Sequence, residues 1–164
     1  MMGLEELYRE IQPGIYAFFY LKTMDREVAE DLTQEVFYQA VKGFQSYSGQ
    51  STIQTWVFAI AKNLWKKHIR SKRYKDRLQD RVRSEEGTMM SAEEQYIQKE
   101  QSDQLMQKIN QLDAHSKEVV TYRVYGELSF REIGLLMGKS ENYARVTFHR
   151  AKLKLQRGWE GSHG

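Results

Sequence analysis

Leu128-Ser129-Phe130-Arg131-Glu132-Ile133-Gly134-Leu135-Leu136-Met137-Gly138-Lys139-Ser140-Glu141-Asn142-Tyr143-Ala144-Arg145 reads as a short helix, a tight turn and the start of a second helix. Ser129 and Glu132 have the spacing of a capping box, in which side chain and backbone satisfy each other's free groups at a helix start. Gly138-Lys139-Ser140 supplies the turn, and the second helix should run to about Arg157. Ile133 and Leu136 on the first helix need apolar partners. Ala144, Phe148, Ala151 and Leu155 offer them at spacings of four, three and four, so they share one face. The small Ala144 and Ala151 let the two helices approach closely. A helix of about eight residues, a glycine turn and a basic second helix form the helix-turn-helix pattern. Glu141, Asn142, Tyr143, Arg145, Thr147, His149 and Arg150 are left facing outward. Arg suits guanine or phosphate, Asn suits adenine, and the others suit backbone positioning. A basic surface helix without a ligand would share the pattern, so both readings stay open on this segment alone.

Upstream, the same periodicity continues. One helix spans roughly Leu4 to Lys22, with Leu7, Ile11, Ile15, Phe18 and Phe19 on one side, and Pro13 is expected to interrupt it. A second spans about Asp25 to Val41. Val28, Leu32, Val36, Ala40 and Val41 form its stripe, and Gly43 suits a left-handed residue past its end. Its other face carries Glu27, Asp31, Gln34, Glu35 and Tyr38. After a polar loop, Gln45 to Gln50, Ser51 and Gln54 suggest a capping box for a third helix. Ile53, Trp56, Val57, Ile60, Ala61, Leu64 and Ile69 form the clearest stripe of the chain. Lys62, Lys66, Lys67, Arg70 and Arg73 fall largely outside it, and fraying is expected near Tyr74 to Arg77. Residues 77–91 lose periodicity and include Ser84-Glu85-Glu86-Gly87-Thr88, which makes them the linker candidate. Ser91 and Glu94 then cap a helix carrying Ile97, Leu105, Ile109 and Leu112, and a shorter one around Ser116 to Tyr125 is closed by Gly126. Strand signals are weak throughout. The expected fold is all-α, two small helical domains (1–76 and 92–160) joined by a flexible linker, the second containing the helix-turn-helix.

Charge follows the same division. The 164 residues carry a net charge of +3, which conceals strong segregation. Eight acids face four bases in residues 1–61, ten bases face two acids in residues 62–83, and residues 84–118 are again acidic. Residues 139–164 return to net positive. Two basic blocks between acidic ones suggest two separate footprints on a polyanion. Cysteine is absent, which excludes disulfides, thiolate metal sites and cysteine nucleophiles. The acidic start (Glu5, Glu6, Glu10) does not resemble a signal peptide, and the apolar run Ile15 to Leu21 is too short to span a bilayer. A reducing, cytoplasmic setting is expected. His68, His115, His149 and His163 show no ligand spacing, so neither metal nor cofactor is expected. No nucleophile–His pair or phosphate-cradling glycine motif stands out. Asp31 and Glu35, one turn apart on an exposed face without a pocket, fit a protein-docking surface better than a catalytic pair. Single-stranded DNA is commonly held by aromatics beside a positive groove. Trp56 is in register with the core stripe. Tyr47 divides evenly between stacking on a base and packing within its loop.

Three stretches together resemble extracytoplasmic-function sigma factors of RNA polymerase. Asp25-Arg26-Glu27-Val28-Ala29-Glu30-Asp31-Leu32-Thr33-Gln34-Glu35-Val36-Phe37 resembles the helix that grips the clamp of the polymerase. Tyr47-Ser48-Gly49-Gln50-Ser51 and Thr55 to Asn63 resemble the segment that melts and reads the minus-ten element. Leu128 to Gly134, with Arg145, His149 to Lys152 and Leu155, is similar to the domain that reads the minus-thirty-five element. The three occur in the family's order over nearly the whole chain. The resemblance implies a non-enzymatic factor that binds core RNA polymerase through the beta-prime clamp helices and the beta flap, directs promoter recognition and melting, and is held inactive by an anti-sigma protein. It implies that Asp31, Gln34 and Glu35 dock on the clamp. Tyr47 and Asn63 would bound a pocket for a flipped minus-ten base, while Lys62, Lys66, Lys67, Arg70 and Arg73 hold phosphates. Glu141, Asn142, Tyr143, Arg145 and Thr147 would meet the minus-thirty-five duplex, with His149 and Arg150 near its backbone. The family often has Asp where Lys67 stands, Thr-Val at Tyr143-Ala144 and Ala at Gly134, which bears on promoter sequence rather than class. A stand-alone helix-turn-helix regulator and a nucleic-acid-processing enzyme are the rival readings.

Overall fold

The computed structural model describes residues 3–82 and 104–163, and among these residues the regular structure is entirely helical. The first module contains α1 (Leu4–Thr23), α2 (Arg26–Gly43), a 3₁₀ turn (Phe44–Ser46) and α3 (Ile53–Val82). The second contains α4 (Gln104–Asn110), α5 (Ala114–Val120), a π-helical turn (Thr121–Tyr125), α6 (Phe130–Met137) and α7 (Glu141–His163). The Ser84 to Thr88 linker segment, the Ser91/Glu94 box and Ile97 lie outside the described residues.

Contrary to expectation, Pro13 does not interrupt α1, which runs through it unbroken. Burial offsets the missing backbone donor. Ile11, Ile15, Ala17, Phe18, Phe19, Tyr20 and Leu21 are all buried, around more than one face. A helix apolar on several sides is a central helix. One side of α1 meets α2 and α3. Another faces the second module, where Leu21 packs with Ile109, Val120 and Ala151. Met24 ends the helix in the left-handed conformation (φ 51°), and the Asp25 carboxylate then accepts from the Val28 N–H at 3.2 Å to start α2.

On α2 the buried positions are Ala29, Thr33, Val36 and Ala40. Thr33 escapes a hydrophobic pattern search, yet it is buried because its hydroxyl donates to the Ala29 carbonyl at 2.6 Å. Val41, assigned to the stripe from sequence, is instead 59% exposed. Gly43 is not left-handed either (φ −95°), because the chain tightens into a 3₁₀ turn there rather than reversing. Helix α3 is opened by Thr52, whose hydroxyl accepts from the Thr55 N–H at 3.3 Å, and not by Ser51. It passes through the expected fraying point and ends at Val82. From Ser71 to Leu78 every residue is exposed, and the Lys and Arg residues there are strong helix formers.

The helix-turn-helix matches its sequence reading closely. Ser129 and Glu132 make the full capping box, at 3.1 Å in both directions. Gly138 takes a left-handed φ of 66°. Ile133, Ala144 and Ala151 are completely buried, with Phe148 and Leu136 packed against them. At Gly134 a Cβ would sit 2.8 Å from the Lys139 carbonyl oxygen, so the turn folds directly onto this residue. The short helix expected around Ser116 to Tyr125 is α-helical only to Val120 and widens into the π turn beyond it.

Candidate nucleic-acid interface

Three surfaces carry the candidate residues. On α3, Asn63, Lys66, Lys67, Arg70 and Arg73 are exposed. Helical geometry places Asn63, Lys66, Lys67, Arg70 and Arg73 along one broad ridge, and Arg73 at its edge also borders a neighbouring groove. That groove, about 490 Å³, is lined by Trp65, His68, Lys72 and Arg73 among others. The His68 ring stacks on Trp65 at 5.5 Å. Burial, together with Lys72 and Lys75, holds the imidazole below its ordinary pKa, so it adds stacking surface rather than charge near neutral pH.

Lys62 departs from this ridge. Its ammonium donates to Glu118 Oε2 at 3.1 Å and to the Leu136 carbonyl at 2.7 Å, both in the second module.

Tyr47 is held within its loop. Its ring lies 5.3 Å from Trp56 and 6.5 Å from Phe44, and its hydroxyl donates to the Ser51 carbonyl. Trp56 is partly buried against the core, as its register suggested. Gly49, at φ 76°, permits the reversal that brings Tyr47 back onto Trp56. Asn63 lies two turns from Trp56, about 10 Å along the axis. Tyr47 and Asn63 therefore flank a stretch of helix surface rather than touch.

The outer face of α2 presents Glu27, Asp31, Gln34 and Glu35, all exposed, with Tyr38 63% exposed beside them. Gln39 donates to Glu35 at 3.2 Å, and the Lys42 ammonium lies over the Tyr38 ring. This is an acidic strip with an aromatic end.

On α7, Glu141, Asn142, Arg145, His149 and Arg150 are exposed, while Tyr143 and Thr147 are half-buried. The Ser140 hydroxyl accepts from the Tyr143 N–H at 3.0 Å and caps the helix. Arg145 pairs with Glu141 at 3.1 Å, one turn back, so the pair orders its own fork before any ligand arrives. Sequence reasoning missed the support beneath it. The guanidinium groups of Arg123 and Arg145 both lie over the Phe130 ring, at 4.2 and 5.5 Å. Lys139 sits over Tyr143 at 5.4 Å. Arg123 is remote in sequence from α7, and no local spacing announces it. Among the described residues no cluster could hold a metal ion, and no helix is long and apolar enough to cross a membrane.

Residues 7–74 match the family model for Sigma-70 region 2, and residues 102–155 match that for Sigma-70 region 4. The RNA polymerase sigma factor YlaC of Bacillus subtilis is 31% identical over 162 residues, covering 94% of this chain and 91% of its own length. The extracytoplasmic-function sigma factor SigM of the same organism is 26% identical over 157 residues, with 94% of both chains covered. Among solved structures, the sigma factor RpoE of Bartonella quintana, in complex with the anti-sigma factor NepR, has a similar fold. Its TM-score is 0.68 at 18% identity, over 93% of this chain and 94% of that one.

Proposed function

The chain belongs to the sigma-70 family, among its extracytoplasmic-function sigma factors, and on that premise we propose how each surface serves transcription initiation. The protein binds core RNA polymerase and promoter DNA and directs initiation. The carrying observation is that two sigma modules lie in order on one chain, each presenting a basic helix surface. Neither a stand-alone regulator nor a processing enzyme accounts for both.

In the reading we favour, residues 1–76 act as region 2 and residues 92–160 as region 4, with 77–91 as the tether. Asp31, Gln34 and Glu35 dock on the beta-prime clamp helices. Their carboxylates stay hydrated on an open face, where charge steers association more than it adds affinity. Lys66, Lys67, Arg70 and Arg73 track the phosphates of the minus-ten region, with Lys62 joining them once it is free of Glu118, while Asn63 lines the pocket for the flipped base. Tyr47, braced by Trp56 and Phe44, walls a site for an unstacked base. Binding the separated strand offsets the cost of unpairing. On α7, Asn142, Arg145 and their neighbours Glu141, Tyr143, Thr147, His149 and Arg150 enter the minus-thirty-five major groove, and region 4 also touches the beta flap. Because the modules are tethered, the second contact is intramolecular and neither need bind tightly alone. The protein works in the cytoplasm, catalyses nothing itself, and is restrained by an anti-sigma partner.

Purified protein added to sigma-free core polymerase should yield promoter-specific transcription. No gain over core alone defeats the reading.

A further inference from the structure

Helix α3 outruns the helices it packs on. Its residues from Ser71 to Leu78 are exposed, while α1 stops at Thr23 and α2 starts at Arg26. The overhang leaves a groove of about 490 Å³ beside the α1–α2 turn, with Trp65, His68, Lys72, Arg73 and Asp76 on its α3 wall. His68 stands five residues beyond Asn63, about 140° round the helix axis. The groove therefore lies off the basic ridge and shares only Arg73 with it.

Two kinds of surface converge in this groove. One is aromatic. The His68 ring stacks on Trp65 at 5.5 Å and 26°, and Trp65 is backed in turn by Phe19 at 6.5 Å. Burial, then Lys72 and Lys75, keep the imidazole neutral, so it offers a flat, uncharged ring on which a base can stack. The other surface is cationic. Lys72 and Arg73 are exposed, and among the described residues neither is ion-paired. Lys22 lines the groove from α1, its ammonium 5.6 Å from the Trp65 ring centre. Two carboxylates also border the groove. Asp25 is engaged in capping α2, where it accepts from the Val28 N–H at 3.2 Å. Asp76, exposed at the rim, repels a bare phosphate, whereas a carboxylate accepts readily from the amine of a base.

We propose that this groove is a nucleotide site, in which a base stacks on the His68 ring and its phosphates rest on Lys72 and Arg73. A ring without cations would suit any apolar ligand, and cations without a ring would suit any anion. A nucleotide uses both side by side, and the groove falls within the roughly 300–1,000 Å³ of small-molecule sites. The chemistry is the same for a nucleotide free in solution and for one in an unpaired strand. The site goes beyond the sigma-factor reading, since His68 and Lys72 belong to none of the surfaces assigned to polymerase or promoter.

Calorimetric titration of the full chain with ATP, with inorganic triphosphate and with a single-stranded deoxyadenosine hexamer tests the site, in magnesium-free buffer and without polymerase. ATP should bind about tenfold more tightly than inorganic triphosphate, the gain that stacking one base gives. His68→Ala should bring ATP down to the level of triphosphate and leave triphosphate unchanged. Lys72→Gln should weaken both several-fold. Circular dichroism checks that each variant keeps its helices. The hexamer separates the two sources of nucleotide. If the site serves a strand, His68→Ala weakens hexamer binding and ATP competes with it; if it serves a free nucleotide, hexamer binding is indifferent to both. Equal binding of ATP and inorganic triphosphate by the parent chain, or folded variants that leave ATP affinity unchanged, overturns the site. Core polymerase enters none of these titrations, so a failure of promoter-specific transcription would strike the functional reading alone.

Discussion

Glu118 shows how much one side chain can decide. Nothing about an acid in an acidic stretch marks it, yet its Oε2 receives both the Tyr122 hydroxyl and the Lys62 ammonium. Lys62 likewise reads as one more base on a basic helix, and only its surroundings set it apart from Lys66 and Lys67. Glycines and caps are the opposite case, because their roles are local. Gly134→Ala should destabilise the second module by about 1–3 kcal/mol through overpacking, since its methyl meets the carbonyls of Lys139 and Ser140 at 2.8 and 2.9 Å. Urea unfolding measures it. Asp113 caps α5 by accepting from the Ser116 N–H at 3.2 Å, and hydrogen bonds from Ser116 hold its carboxyl below the ordinary value of 3.8. Asp113→Ala should therefore cost about 1 kcal/mol near neutral pH. The folded pKa lies below the unfolded one, so the cap's contribution is present above the ordinary carboxylate range and is lost as pH falls through the lowered value. The gap between parent and variant should narrow in acid, and thermal unfolding followed from about neutral pH down to about pH 2 checks this.

Helices were the most legible level of this chain. The stripe of α3, the box of α6 and the alanine-spaced face of α7 each follow from spacing and chemistry, and the tertiary fold keeps them. Errors fell at ends and at Pro13, where burial or continued propensity outweighed a local breaker. The surfaces follow from the same spacing, since whatever a stripe leaves outside must face solvent. Asp31→Lys combined with Glu35→Lys should abolish binding to core polymerase without loss of helix content. A pull-down with core that retains full affinity would dismiss α2 as the docking element. On α3, Lys66→Ala and Arg70→Ala should each weaken binding to promoter DNA nearly regardless of sequence. Each should also reduce the slope of log affinity against log salt by about one, as loss of a phosphate contact requires.

At the level of the whole molecule, two apolar clusters join the modules, one running from Ile11 through Phe58 and Tyr122 to Ala144 and the other linking Leu21 to Ile109, Val120 and Ala151. The free protein should therefore unfold in a single cooperative transition, whereas Gly14→Ala, whose methyl would lie 2.6 Å from the Tyr125 carbonyl oxygen of the second module, should separate it into two, as calorimetry can resolve. Composition and periodicity alone determined the all-helical class, the two modules, the helix-turn-helix and the residues left on each outer face, because these depend on neighbours three or four positions away along the chain. Which outward residues are free and which are spoken for was decided only by tertiary structure. Tyr122 meeting Phe18 and Phe58, Glu118 meeting Lys62, and Arg123 against Phe130 all depend on how whole helices pack. No local pattern encodes that packing.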